Sequence, residues 1–196
     1  AFYNASSVSD KQNTYNNTPH FVYIAYFGSG IAKVGIAASS RGKLRLYEQG
    51  ALLYTIFQEF PDAYTARKEE ARLIRSGFKE TVSKKQKQTL LHTLEKGSTL
   101  AQDFTTLLNQ NNIQNCSIED NLTMFFYGNP VSEPIIPLEN GQPISGRVRG
   151  VVGHYLVLEN TGRLYGIWLS NFLGYPITTS DTIIPITAEP LQTKLF

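Results

Sequence analysis

Dense apolar runs separated by glycine turns follow a polar N-terminal segment. Phe21 to Phe27 is rich in β-branched and aromatic residues, and Gly28-Ser29-Gly30 separates it from a second apolar run over 31–37. A third run of the same character covers 53–60 and ends at Pro61. Because the first two runs are joined by a short glycine-containing turn, they predict a hairpin. The three runs together predict a small three-stranded antiparallel sheet.

Helical periodicity fills the segments between and after these strands. Residues 40–49 predict a helix that ends at Gly50. Asp62 is placed to cap the next helix, which we expect to run to about Ser76. Two further helices are predicted, over residues 83–96 and 99–111.

The composition and periodicity of the chain change from residue 129 onwards. Seven of the nine prolines lie in this part, and helical periodicity is almost absent. Two apolar runs, 154–159 and 163–169, flank the turn Asn160-Thr161-Gly162 and predict a second hairpin. We expect residues 146–186 to form a small, strongly bent β-barrel or sandwich of about five strands.

These patterns predict an α+β chain with two structured units. The first is a small three-stranded antiparallel sheet with flanking helices, and the second is a small all-β, barrel-like domain. The predicted bounds are a loosely ordered polar arm over 1–19, an α/β domain with a helical extension over 20–128, and a β domain over 129–196.

Composition excludes several classes of protein. No apolar run approaches the roughly 20 residues that a membrane-spanning helix needs. The single cysteine, Cys116, excludes an internal disulfide framework and a cysteine-cluster zinc site. We therefore expect a cytoplasmic protein that has no zinc site in this chain and no membrane partner.

The net charge of +2 conceals a basic stretch. Residues 33–87 contain twelve Lys and Arg against six Asp and Glu, an excess of six positive charges. Such a local excess is typical of a surface that contacts phosphate groups. It is equally typical of a solvated, lysine-rich helix face, and the sequence alone leaves both interpretations open.

One carboxylate lies on the apolar face of the helix after Asp62. At about 100° per residue, Glu70 falls about 40° from Ala66, inside the apolar stripe, whereas Glu69 points towards solvent. A carboxylate on this face is costly unless it is paired, binds a metal or opens into a cleft. Arg67 lies on the same face and offers a simple pairing partner, so the alternative to a metal-binding role is an ordinary ion pair.

The order of these elements resembles the GIY-YIG nuclease superfamily. Val22-Tyr23-Ile24 stands where that superfamily has its first tyrosine-containing strand, and Lys33-Val34-Gly35 stands where it has Tyr-Ile-Gly. Arg45 to Gln49 resembles its Arg-x-x-x-His helix, and Ala66 to Ile74 resembles the helix with the metal-binding Glu. The chain is also similar, over roughly 20–175, to a prokaryotic family of unknown function that has a GIY-YIG-like middle and a β C-terminal segment.

The resemblance implies a divalent-metal-dependent endonuclease, or a nuclease-like protein, that hydrolyses phosphodiester bonds of DNA or RNA. Tyr23 and Lys33 would position the attacking water, Arg45 would stabilise the phosphate, and Glu70 would bind Mg²⁺ or another divalent cation. Two positions depart from the superfamily, because Lys33 replaces its second tyrosine and Gln49 its helix histidine. Further contacts with nucleic acid are expected from Arg41, Lys43, Gln49 and Arg67.

Two other functions fit the same sequence. The chain could be a non-catalytic nucleic-acid-binding protein that kept the nuclease fold and uses the 33–87 basic surface and the β domain. A weaker alternative is a protein–protein adaptor with the aromatic β domain as its interface. For single residues, Tyr23 has the simpler interpretation of a core tyrosine, and Arg45 that of a surface helix residue.

Overall fold

The computed structural model describes residues 9–92, 98–125, 135–138, 144–174, 179 and 181–183. The fold is α+β, as predicted from the sequence. It combines a four-stranded antiparallel sheet with a second four-stranded sheet and several helices.

The first sheet has the strand order β2-β1-β3-β4, and all neighbouring strands are antiparallel. Its strands are β1 (His20–Tyr26), β2 (Ala32–Ala38), β3 (Leu53–Phe60) and β4 (Glu119–Asp120). The predicted hairpin and third strand are confirmed, but the sheet has four strands rather than three. Two residues are too few to show the alternation that marks a strand, so the pattern of the sequence does not reveal β4.

The helices lie close to their predicted positions. They are α1 (Asp10–Asn16), α2 (Leu44–Gln49), α3 (Ala63–Arg75), α4 (Lys84–His92), α5 (Ser98–Gln110) and α6 (Leu122–Phe125), with 3-10 turns over Ser39–Arg41 and Leu169–Phe172. The helix predicted over 40–49 is divided because Gly42, at φ 51°, interrupts it. No helix in the described part of the chain is long and apolar enough to cross a membrane.

Two helix starts depend on side-chain caps. The predicted cap at Asp62 is confirmed, because its side chain accepts a hydrogen bond from the backbone N–H of Thr65. The predicted arm over 1–19 is partly wrong, since residues 10–16 form α1. The hydroxyl of Ser9 accepts a hydrogen bond from the backbone N–H of Gln12 and so caps the start of this helix. The helix itself is polar and has no apolar face. The last residues of the helix predicted over 83–96, from 93 onwards, lie outside the described residues.

The alternating side chains of β1 supply two apolar layers. Tyr23, on one face, packs in a cluster with Leu46 of α2 and Leu90 of α4. Ile24, on the other face, belongs to a larger cluster. That larger cluster includes side chains from α3 and α5, namely Ala66, Leu73, Phe104 and Leu108. The first sheet is therefore covered by helices on both faces, as its two-sided apolar strand requires.

The second sheet has the order β5-β8-β7-β6. Its strands are β5 (Ile135–Pro137), β6 (Arg147–Val152), β7 (Tyr155–Asn160) and β8 (Arg163–Trp168). The hairpin predicted around Asn160-Thr161-Gly162 is confirmed by the antiparallel pairing of β7 and β8. The predicted barrel is wrong, because β5 and β6 form two separate edges and the sheet stays open among the described strands. Most of the predicted region from 175 to 186 lies outside the described residues.

The two sheets meet at a pair of glycines. Gly50 ends α2 in the left-handed conformation, and a Cβ there would lie 3.3 Å from the backbone of Val152. Gly153, in the β6–β7 turn at φ 61°, approaches the end of α2 from the opposite side. The larger apolar cluster extends across this contact, with Leu52 from one sheet and Tyr155 from the other. The division into domains at residue 129 stays a prediction.

The close approach at Gly153 leads to a stability prediction. A Cβ at Gly153 would lie 2.8 Å from the carbonyl oxygen of Glu48, whereas a Cβ at Gly162 would meet nothing within 4 Å. Both glycines have positive φ, 61° and 73°, so alanine costs similar backbone strain at each. We expect Gly153→Ala to lower the free energy of unfolding by about 1–3 kcal/mol more than Gly162→Ala, because only the former pushes the sheets apart. Urea denaturation of both variants measures the difference, and equal losses would contradict this packing.

Candidate functional site

The tyrosine of the first strand motif lies across the glycine of the second. Tyr23 and Gly35 are directly paired between β1 and β2, and Tyr23 is almost fully buried. A Cβ at Gly35 would clash with the phenol oxygen of Tyr23 and would lie 2.6 Å from its Cζ. Glycine at this position therefore provides the space in which the tyrosine ring lies. The ring spans β2 and carries its hydroxyl to the region of Arg45.

Arg45 lies close to the hydroxyl of Tyr23 and acts on its pKa. Its side chain is partly exposed in α2, next to the fully buried Leu46, and it forms an ion pair with Glu48 at 3.6 Å. Burial raises the pKa of Tyr23, and the charge of Arg45 only partly offsets this effect. Tyr23 is therefore a neutral phenol at physiological pH. It can orient a water molecule or a phosphate by hydrogen bonding, but it is a poor proton acceptor.

Lys33 lies on the same face of the sheet as Tyr23, two residues before Gly35. Burial lowers the pKa of Lys33, and the charge of Arg45 lowers it further, while Glu70 and Glu80 act in the opposite direction. The chain after α3 brings Glu80 to this edge. The backbone of Lys79 pairs with β2, with the N–H of Val34 donating to the Lys79 carbonyl at 3.0 Å.

Glu70 is half-buried, as its place in the apolar stripe of α3 predicts. Burial raises its pKa, Arg67 and Lys33 lower it, and Glu80 raises it. Its neighbour Glu69 instead forms an ion pair with Arg72 at 2.6 Å on the outer side of the helix.

The alternative that Arg67 forms an ion pair with Glu70 is not observed. Among the described residues, Glu70 has no cationic partner within 4 Å. The Nε of Arg67 is itself buried without a hydrogen-bond partner in this part of the chain. The Glu70 carboxylate therefore keeps its oxygens available to a further ligand.

Two of the four predicted catalytic residues, Arg45 of α2 and Glu70 of α3, interact electrostatically with the other two, Tyr23 of β1 and Lys33 of β2. Two of the other predicted nucleic-acid contacts also form ion pairs. Arg41 forms an ion pair with Glu48 at 2.7 Å, and Lys43 one with Glu119 at 2.7 Å, both on the exposed surface.

Lys87, a residue of α4, was not predicted from the sequence. Its Nζ donates a hydrogen bond of 2.6 Å to the carbonyl oxygen of Gln49 and lies 4.8 Å from the ring centre of Phe27. Burial, and then the charges of Lys33 and Arg45, lower the pKa of Lys87 to about 8. A signal was available, because Leu90 and Leu91 follow three and four residues later and mark this lysine as facing the core.

Lys33, Arg45 and Lys87 are hereafter called the cation cluster. Their mutual repulsion and partial burial are costs to the folded state, since each charge disfavours the others. Ionisable groups with shifted pKa values that converge at one place are typical of functional sites. An anion placed among them would remove the repulsion.

Comparison with known proteins gives one match. A family model described as "Protein of unknown function (DUF2797)" matches residues 5–177, which includes both sheets and every residue of the cation cluster. The chain belongs to the DUF2797 family. Neither the curated proteins nor the solved structures contain a match. The likeness of this DUF2797 chain to GIY-YIG nucleases thus stays an expectation from its motifs.

A metal ion at this site of the DUF2797 chain would depend mainly on Glu70. In the ranges that the structure describes, no group of three or more His, Cys, Asp and Glu side chains lies together. Magnesium does not need such a group, because water and substrate phosphate complete its octahedron around one or two carboxylates. Glu70 fits this requirement, since it is a half-buried carboxylate without a close cation and has Glu80 nearby.

The lowered pKa of Lys87 predicts a pH-dependent stability. Between about pH 8 and the ordinary lysine value of 10.5, the unfolded chain binds more protons than the folded one. The free energy of unfolding should therefore rise with pH in this window. We expect the free energy of unfolding of the wild-type DUF2797 chain, measured relative to that of Lys87→Met, to rise by about 1–2 kcal/mol between pH 7 and pH 10.5. This rise is smaller than the full pKa shift of Lys87 implies, because the ammonium is partly solvated.

Urea denaturation of both proteins at the two pH values measures this gain. The exposed Lys85 of the same helix supplies the control variant, Lys85→Met. If Lys85→Met altered the pH dependence of the free energy of unfolding as much as Lys87→Met does, burial of Lys87 could not be the cause.

Proposed function

We propose that this chain is a divalent-metal-dependent nuclease that hydrolyses phosphodiester bonds of nucleic acid. One observation carries the proposal: Tyr23 and Lys33 lie on the same face of the first sheet, and the charges of Arg45 and Glu70 act on both of them. The resemblance to the GIY-YIG superfamily implies a role in phosphodiester hydrolysis for these same four positions. A chance distribution of side chains gives no reason for these four residues to lie close together.

The cations of the site suit a phosphodiester. Arg45 presents a planar guanidinium that can bind two phosphate oxygens, and it lies beside the hydroxyl of Tyr23. Lys33 adds a second, partly desolvated charge, which acts more strongly than it would in water. Both charges would stabilise the negative charge that develops on the phosphoryl oxygens during hydrolysis.

The remaining two residues suit the attacking water and the metal. Tyr23 is a neutral phenol, so its role is to orient the water molecule rather than to take its proton. Glu70 would hold the divalent ion, with Glu80 as the nearest further carboxylate. When bound, such an ion neutralises phosphate charge and makes water more acidic.

A second candidate is nucleic-acid binding without cleavage. It is favoured by the composition of the site, where the charges of Lys33 and Arg45 both act on Lys87, and Lys33 takes the place of the second tyrosine of the superfamily. The cation cluster can hold a phosphate without any metal. A protein–protein adaptor is a weaker candidate, because an interface with protein gives no reason to gather repelling cations.

The test compares cleavage with binding in Glu70→Gln, which removes the charge of the carboxylate and keeps its shape. We expect wild type to cut oligonucleotides in Mg²⁺ or Mn²⁺ and to lose this activity in a chelator. Glu70→Gln should reduce the cleavage rate by about 100-fold or more. Its affinity for the strand in the chelator should match that of wild type, because the cation cluster is intact.

Glu69→Gln is the matched control, since this neighbour forms only an exposed ion pair with Arg72. It should cut at the wild-type rate. Salt-dependent binding by wild type without cleavage of any DNA or RNA strand would replace the nuclease proposal with the binding one. The absence of nucleic-acid binding at low salt would exclude both and favour the adaptor.

A further inference from the structure

Helix α3 has an outer face on which exposed cations are not balanced by acids. Lys68 and Arg75 are both exposed and lie seven residues apart, so they share one face of the helix about 10 Å apart. Of the two acids of α3, Glu69 is paired with Arg72 at 2.6 Å, and Glu70 lies on the inner face. Among the described residues, neither Lys68 nor Arg75 forms an ion pair.

An aromatic ring orders the first of these cations. The Nζ of Lys68 lies 4.3 Å from the ring centre of Tyr64, which is itself 46% exposed. A cation–π contact acts on the charge and leaves the N–H donors available to a further ligand. Arg75 gains stability from the helix dipole because it lies in the last turn. Lys68 lies in the middle of the helix, so the dipole does not account for its place.

The chain continues this basic surface from α3 to the edge of the first sheet. Gly77, at φ 122°, turns the chain out of the helix, and Lys79 then pairs with Lys33 of β2 in a parallel bridge. The backbone N–H of Lys79 donates to the carbonyl oxygen of Ala32 at 3.1 Å, and its carbonyl accepts from the N–H of Val34 at 3.0 Å. Residues paired in this way carry their side chains on the same face, about 5 Å apart. The exposed Lys79 therefore lies beside Lys33.

Two lysines side by side are unfavourable in the absence of a ligand, because like charges at directly paired positions repel each other. In the part of the chain that the structure describes, no carboxylate forms an ion pair with Lys33 or Lys79, although the exposed Glu80 is the next residue. Helix α3 packs against β2, so its exposed face and this edge of the sheet are neighbours. A ligand with several negative charges could contact both.

We propose that Lys68, Arg75 and Lys79, hereafter the basic strip, bind the phosphate backbone of a nucleic acid beyond the point at which it is cut. This inference rests on the proposed function for the identity of the polyanion. The distance of about 10 Å between Lys68 and Arg75 along the helix equals the axial separation of phosphates three nucleotides apart in one strand of a duplex.

The chemistry of the strip limits what it can recognise. A lysine ammonium contacts phosphate as a point charge, and contacts with phosphate carry no sequence information. The strip therefore adds affinity without sequence preference. Its ligand is a polynucleotide long enough to extend from the candidate site over α3, rather than a nucleotide or a very short strand.

The test compares two triple variants that change the net charge equally. The strip variant is Lys68→Gln/Arg75→Gln/Lys79→Gln. The control removes three exposed cations from α1, α4 and β8, in the variant Lys11→Gln/Lys85→Gln/Arg163→Gln. Dye-labelled DNA and RNA of about 20 nucleotides, single-stranded and duplex, are titrated by fluorescence anisotropy in a chelator, at salt concentrations from about 50 to 200 mM. Circular dichroism checks that each variant is folded.

We expect the strip variant to bind about 10-fold or more weakly than wild type at low salt, and the control variant to bind nearly as tightly as wild type. The slope of log affinity against log salt concentration should fall in magnitude by about 2 in the strip variant, since each lost phosphate contact removes about 0.7–0.9. Both effects should be the same for strands of different sequence.

Three results would count against these expectations in different ways. Equal behaviour of the two triple variants would overturn this inference and leave the proposed function standing. Absence of binding by every strand at low salt would contradict the proposed function itself. Tighter binding to phosphatidylserine vesicles than to any strand, at equal phosphate concentration, would overturn the assignment of the strip to nucleic acid.

Single variants test the extension of the strip to the sheet edge. Lys79→Gln should reduce the magnitude of the salt slope by slightly less than about 1, whereas Lys79→Arg should keep the wild-type slope because it keeps the charge. Lys85→Gln is the matched single control. A slope that is unchanged in Lys79→Gln would overturn the place of Lys79 in the strip.

Discussion

The ring of Tyr23 lying across Gly35 is the contact on which the candidate site depends. Any side chain at residue 35 would displace the ring, and with it the hydroxyl beside Arg45. The second sheet has the same arrangement, because a Cβ at Gly166 would clash with the hydroxyl of Tyr155. That tyrosine packs against Trp168. In each sheet a tyrosine ring therefore lies over a glycine, and the ring in the first sheet positions the hydroxyl of the candidate site.

The docking of the two sheets depends on close contact between backbones. Glycines at the end of α2 and in the β6–β7 turn allow backbones to approach within distances that a Cβ would forbid. The continuous apolar cluster stabilises this contact. The same core offsets the cost of holding Lys33, Arg45 and Lys87 close together and partly desolvated. Ionisable groups gathered in this way are typical of functional sites.

Much of the fold could be predicted from local patterns of apolar residues and turns. The β1–β2 hairpin and the β7–β8 hairpin follow from apolar runs around glycine turns, and the inward position of Glu70 follows from the period of α3. Features that depend on few residues or on distant contacts were not predictable in this way. Helix α1 begins at a single serine cap, β4 has two residues, and the open second sheet depends on β5 pairing with β8 across about thirty residues of chain. Lys87 was missed because its role depends on its proximity to Lys33 and Arg45, and only the tertiary fold brings these residues together.

The central claim is that Tyr23, Lys33, Arg45 and Glu70 form one site for a phosphate and a divalent ion. The most direct measurement is paramagnetic broadening of the backbone amide signals by Mn²⁺, recorded by NMR with a non-cleavable phosphorothioate strand bound. The account predicts that broadening starts at Glu70 and Lys33 and is lost in Glu70→Gln. Broadening centred on another carboxylate, such as Glu119 or Asp120, and unchanged in Glu70→Gln, would contradict it.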